Sequence, residues 1–217
     1  EPHALRAGRE LQLYLEKMSG AKLPVATEGQ PVPTNTEIQL LIGHTAAASN
    51  LGVKIPSGFN PAIRPEAFEE EGYILKTVGN RILVGGNGDG PYQGTLYAAY
   101  ALLERLGCRW YFPGTWGEIV PTRKTVLVPH LDIESHPDFP VRMIWLSGWV
   151  EPTVAESHVY DEWCARIGFS GSNPNTSRLY PLVGDGFLGH LLPPSEYFEK
   201  NPALFALNRN IGVFFIF

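Results

Sequence analysis

Gly72-Tyr73-Ile74-Leu75-Lys76-Thr77-Val78-Gly79-Asn80-Arg81-Ile82-Leu83-Val84 is the stretch on which the fold turns. Two apolar, β-rich runs flank Gly79-Asn80. Two residues that tolerate positive φ between such runs predict a tight β-hairpin. Downstream, the Gly-rich run 85–90 feeds a helix predicted to start near Pro91, because proline suits the first helical turn. The body of that helix, 95–106, is apolar almost all round, which predicts burial on most sides, and Gly107 is its stop. Short strands are predicted at 108–112 and 124–128.

Upstream, residues 4–19 read as an amphipathic helix. Ala4, Ala7, Leu11, Tyr14, Leu15 and Met18 recur at three- and four-residue steps, and Gly20 ends the run. Residues 37–42 read as a strand with Ile38, Leu40 and Ile42 on one face. Helices at both ends of a strand set predict an α/β fold, a small mixed sheet with helices packed on one face. This first part, 1–134, is followed by a Pro-rich linker through Pro137 and Pro140. The second part, 135–217, opens with a strand at 141–146. A helix follows at 154–167, with Ala155, Val159, Trp163 and Ile167 on one side. Polar loops at 170–177 and 184–192 then lead to a short helix capped by Ser195, with Glu196 and Glu199 in its first turns. Strand, helix and loop begin a βα repeat without completing one.

Composition narrows the classes. The chain has 217 residues, 44% hydrophobic and 12% aromatic, enough to bury a core and to exclude global disorder. Seventeen basic against 22 acidic residues give a net charge of −5, which argues against nucleic acid as a partner. No apolar run reaches the roughly 18–20 residues of a membrane span. Cys108 and Cys164 lack the spacing of a disulfide framework or metal site and read as two separate buried thiols.

Three patterns invite chemistry and have plainer readings. The run 85–90 before a helix suggests phosphate binding, but it lacks the Lys-Ser/Thr ending and carries Asp89, so a tight turn is preferred. His130, Asp132, Glu134 and His136 would share one face of a continuous strand, a conceivable metal set. Leu131 and Ile133 on the other face make it the ordinary solvated side of a half-buried strand. Asp161 and Glu162 are adjacent on a helix and diverge, so they do not form the opposed carboxyl pair that glycoside cleavage needs. No cofactor and no metal site is expected.

A longer pattern runs from Gly94-Thr95-Leu96-Tyr97-Ala98-Ala99-Tyr100 through Gly107-Cys108-Arg109-Trp110-Tyr111-Phe112-Pro113, then Gly117-Glu118 and Val120-Pro121. Together with the opening helix and Leu23-Pro24-Val25, it resembles the N-terminal α/β domain that precedes the catalytic barrel in alpha-glucuronidases of glycoside hydrolase family 67. It is also similar to the matching domain of family 20 hexosaminidases. Residues 137–142 look like the lead-in to the first barrel strand, and Leu192-Pro193-Pro194 through Leu207 resembles bacterial relatives carrying this domain pair. Asn201 stands where those relatives usually have His, and 208–217 stop matching.

The resemblance implies an incomplete (β/α) barrel segment after the first domain. A barrel takes about 250 residues and only about 80 follow. The catalytic carboxylates would then come from later strands, and the chain alone would not hydrolyse. A secreted or periplasmic location and a carbohydrate ligand are implied on the same ground. Arg142, on the strand matching the first barrel strand, is a candidate donor to sugar hydroxyls or an arginine salt-bridged at the barrel mouth. Trp145 and Trp149 could stack on a sugar or pack in the core, and His190 could line a barrel-top site. Exposed apolar surface, with the tail Val213-Phe214-Phe215-Ile216-Phe217, would favour self-association. The competing expectation is a non-catalytic carbohydrate-binding or scaffolding module.

Overall fold

The computed structural model describes residues 2–30, 37–60, 66–139, 142, 154–169, 194–201, 207–208 and 212–213. The chain forms two compact units, Glu1–Asn173 and Pro174–Phe217. The first is a mixed α/β unit with elements in the order α1 (Pro2–Ser19), β1 (Gln39–Ile42), α2 (Ala46–Ser49), α3 (Ala67–Glu71), β2 (Tyr73–Val78), β3 (Arg81–Gly86), α4 (Gly94–Arg105), β4 (Arg109–Trp110), β5 (Glu118–Ile119), β6 (Asp132–Ser135) and α5 (Val154–Arg166). In the second unit the described elements are α6 (Pro194–Tyr197) and a hairpin of β7 (Leu207–Asn208) with β8 (Gly212–Val213). Ser195 lies inside α6 rather than capping it, since that helix starts at Pro194.

The hairpin is as the sequence reads. Val78 pairs with Arg81 across Gly79-Asn80, and Gly79 has φ +59°. The strands lie in the order β1-β3-β2-β6, with β1 parallel to β3 and the other neighbours antiparallel. Alternation along β2 and β3 decides the packing. Leu75, Ile82 and Val84 face α1 and α4, in a core with Leu11, Tyr14, Met18, Leu96 and Leu103. Ile74 and Leu83 point the other way, onto Ala48 and Ile55, with Phe68 of α3 packed alongside. Both faces of the sheet are therefore covered, which corrects the expectation of helices on one face. The central strands are apolar on both sides, so each side needs a cover.

The Gly-rich run proves to be a close approach of backbone to backbone. A Cβ on Gly86 would lie 2.5 Å from the Gly94 carbonyl carbon and 2.6 Å from the Gly72 oxygen. A Cβ on Gly94 would lie 2.6 Å from the Asn87 nitrogen. Asn87 is buried and its side-chain amide donates to the Gly58 (2.9 Å) and Glu69 (2.6 Å) carbonyls. Asp89 accepts from the Gly58 N–H at 2.7 Å. The Asn87 amide and the Asp89 carboxylate are thus spent on the protein's own backbone, and α4 starts at Gly94, not near Pro91.

Three further expectations change. Residues 124–128 form no strand, and it is β6 that pairs with β2. Val126 and Val128 pack on the core from irregular backbone, while Leu127 is exposed. The strand expected at 108–112 is only Arg109–Trp110, and the chain then turns through a 3₁₀ segment, Thr115–Gly117. The strand expected at 37–42 shortens to β1, leaving Ile38 exposed. On α5 the buried positions are Cys164 and Ala165, while Val159 is exposed. Trp163 and Ile167 of the expected stripe pack on the core, and the Trp163 indole N–H donates to the Trp110 carbonyl at 2.9 Å.

Candidate functional site

Two polar clusters sit where α1, α4, α5 and the chain after β6 converge. The first centres on Tyr14. Its hydroxyl donates to Glu118 Oε2 at 2.5 Å and accepts from the Trp110 indole N–H at 2.8 Å. Lys17 Nζ lies 2.5 Å from Glu118 Oε1. Burial pulls the Glu118 carboxyl upward, but hydrogen bonds from Lys17 and Tyr14 and the charges of Lys17 and Arg166 outweigh it and hold the group below the ordinary range. The Tyr14 hydroxyl is pushed well up by burial and by its bond to Glu118, and stays protonated. Trp110 meets Tyr14 and Tyr100 edge-on at 5.3 and 5.5 Å, which fixes the hydroxyl's position.

The second cluster centres on Arg142, and its guanidinium is engaged on every nitrogen. Nε donates to the Gly168 carbonyl at 2.6 Å, Nη1 to the Phe139 carbonyl at 2.7 Å, and Nη2 to Glu71 Oε2 at 2.5 Å and to the Tyr97 hydroxyl at 3.3 Å. The pair is withdrawn from water, with side-chain exposure of 13% for Arg142 and 4% for Glu71. α3 places Glu71 at its last position, with only Gly72 between it and the start of β2 at Tyr73. Burial raises the Glu71 carboxyl above its ordinary value; the charge and hydrogen bond of Arg142 and the Gln93 N–H offset this only in part. Tyr97 lies under the guanidinium at 5.4 Å from its ring centroid and donates to the Phe169 carbonyl at 3.3 Å.

Beside Arg142 opens a cleft of about 330 Å³, walled by Tyr73, Tyr97, Tyr100, Glu104 and Arg166. Arg166 stands 3.5 Å from Glu10 and 3.7 Å from Glu162. The Tyr100 hydroxyl donates to Glu10 at 3.1 Å. Aromatic walls with a few polar side chains are the usual make-up of a small-molecule site, and this one lies at the low end of the size range.

Of the residues singled out in the sequence, Arg142 lies at this cleft and is salt-bridged to Glu71 of α3. Trp145, Trp149 and His190 lie outside the described residues, as do most of the strand expected at 141–146 and the loops at 170–177 and 184–192. Asp132 and Glu134 face solvent, and Asp132 pairs with Lys76 at 2.7 Å. Among the described residues no three His, Cys, Asp or Glu side chains gather as a metal set. Cys108 and Cys164 are free and buried, and burial pushes their thiols up to about 11 and about 12, so neither is an activated nucleophile. Among the described residues no helix is long and apolar enough to cross a membrane.

Sequence reasoning missed Glu71, Glu10 and Arg166. The run Glu69-Glu70-Glu71 looks like a solvated acidic patch, yet Glu70 and Glu71 are buried. The available signal was Glu71 two positions before the hairpin's first strand, a position that the sheet carries inward. Compared with models of known protein families and with curated proteins, the chain matches none.

Proposed function

We propose that this chain is the N-terminal part of a carbohydrate-active glycoside hydrolase of the alpha-glucuronidase type. In this reading residues 1–134 are an accessory α/β domain and 135–217 begin the catalytic barrel. The accessory domain supports the barrel and does no chemistry itself. The observation that carries the supporting role is the Arg142 guanidinium, spent on Glu71, Tyr97 and two carbonyls. An arginine so engaged fastens the chain that leaves the sheet; it has little left to offer a sugar hydroxyl.

The second reading, a carbohydrate-binding module, is favoured by the tyrosine-walled cleft next to that arginine. Titrating the full chain with glucuronate and with N-acetylglucosamine, and assaying aryl glycosides of both, separates the two. The scaffold reading expects neither saturable binding nor turnover. Saturable binding that Arg142→Ala abolishes without changing the far-ultraviolet circular dichroism would establish the module and remove the scaffold. Reading the coding DNA past the Phe217 codon checks the family: further βα units carrying two opposed carboxylates are expected, and a continuation of another kind contradicts it.

A further inference from the structure

We propose that Asn87-Gly88 is a self-modifying site guarded by the fold. Opening of the strap at Gly58-Phe59 lets Gly88 expel ammonia from the Asn87 amide, and the acid so formed keeps the strap from closing again. This is the chain's single Asn-Gly pair. Asparagine is chemically labile, and a following glycine leaves the attacking nitrogen without a side chain to shield it. In the reaction the Gly88 backbone nitrogen gives up its proton and bonds to Asn87 Cγ. The Cγ–Nδ2 bond breaks, and ammonia carries that proton away. Water then opens the cyclic imide at either carbonyl, leaving aspartate or isoaspartate. Nothing besides water is consumed.

The closed structure withholds both the leaving group and the water. Asn87 is fully buried, and Gly88 is buried beside it. Nδ2 donates to the Gly58 and Glu69 carbonyls, at 2.9 and 2.6 Å, while Oδ1 accepts from the Asp89 N–H at 3.0 Å. Ammonia leaves only by giving up both of its bonds, in a place closed to solvent, so reaction waits on local opening. The segment that must open lies at the surface. Gly58 is tied by its N–H to Asp89, and Phe59, 42% exposed, meets Tyr92 edge-on at 5.4 Å and sits tight against Gly90. Once formed, the acid does not fit the closed arrangement. A carboxyl has at most one hydrogen to give, and none when ionised, where the Gly58 and Glu69 carbonyls both accept. Isoaspartate also lengthens the main chain where there is no slack: a Cβ on Gly94 would already lie 2.6 Å from the Asn87 nitrogen. Glu69 belongs to α3, so the same change removes one tie on the helix that carries Glu71.

The test incubates the full chain at mildly alkaline pH beside a synthetic peptide of residues 85–91. Conversion at position 87 is followed by peptide mass and isoaspartate content. The fold should slow conversion about 100-fold or more relative to the peptide. Phe59→Ala leaves the Asn-Gly pair and its amide bonds in place, and should speed conversion in the chain about ten-fold with unchanged far-ultraviolet circular dichroism. Phe59→Leu, a milder change, should fall between. The product is made homogeneous as Asn87→Asp, in which the Gly94 N–H, bonded to the Asn87 carbonyl at 2.7 Å in the wild type, should lose exchange protection about ten-fold. Conversion of the wild type at the peptide's rate, or one rate shared by all three folded chains, overturns the guard. Undiminished Gly94 protection in Asn87→Asp overturns the block on reclosure.

Discussion

Glu118 and Glu71 are both withdrawn from solvent and both touch a cation at 2.5 Å, yet one carboxyl is held below its ordinary range and the other above it. The difference is what else reaches each group. Glu118 takes a hydrogen bond from Tyr14 besides Lys17, and feels Arg166 as well. Glu71 is more deeply buried than Glu118, and beside Arg142 it has a long contact of 3.4 Å from the Gln93 N–H and the like charge of Glu70. One good partner does not offset deep burial, whereas two donors and a second cation offset a shallower one. The Tyr14 cluster therefore holds its carboxylate charged at little cost, whereas the Arg142 cluster holds Glu71 against a larger desolvation penalty.

The comparison breaks most visibly at the ring that holds the first cluster in place. Trp110→Ala removes the indole wedged between Tyr14 and Tyr100 and should lower the unfolding free energy by about 3–5 kcal/mol in urea titration. A loss below about 1 kcal/mol would mean that the cluster is not held by this ring. Tyr14→Phe keeps the ring but leaves the Trp110 N–H and Glu118 Oε2 without their shared partner. The expected loss is about 1–3 kcal/mol, together with an upward shift of the Glu118 carboxyl visible by nuclear magnetic resonance titration.

The pH dependence of stability sharpens the contrast, because the two carboxyls act with opposite sign. Glu118, depressed in the folded state, adds stability above the unfolded glutamate value and loses it as pH falls through its lowered one. Glu71, raised in the folded state, favours folding most when protonated, and that contribution fades as pH rises through its raised value. Glu118→Gln should therefore flatten the acid limb of the stability profile, and Glu71→Gln should remove a decline just above the free-glutamate range. Identical profiles for the two variants would dissolve the distinction. At the smallest end, Lys76→Ala breaks an exposed pair with Asp132 across β2 and β6, and the thermal midpoint should not move.

What the sequence made legible follows the range of the forces involved. The hairpin, α1 and the body of α4 come from local periodicity and from Gly79-Asn80 and lie where the reading places them, although α4 starts at Gly94 rather than near Pro91. α2 and α3 have four and five residues, too short for a periodic signal; Thr45 caps α2 by accepting the Ala48 N–H at 3.0 Å, and burial against Ile74 and Leu83 supports the rest. The run 124–128 has the alternation of a strand, but a strand needs a partner distant in sequence, and it is β6 that pairs with β2 there. Arg142 was recognisable as a residue of consequence. Its partner Glu71 stands 71 positions earlier, so no local pattern reports the ion pair.

A double-mutant cycle joining Glu71→Gln and Arg142→Gln, read as unfolding free energy at neutral pH, bears most directly on the claim that this arginine clamps the chain to the α/β unit. The clamp predicts a coupling of about 1–3 kcal/mol, with the double variant less destabilised than the single losses imply together. Losses that add to within about 0.3 kcal/mol would mean the two side chains do not hold one another.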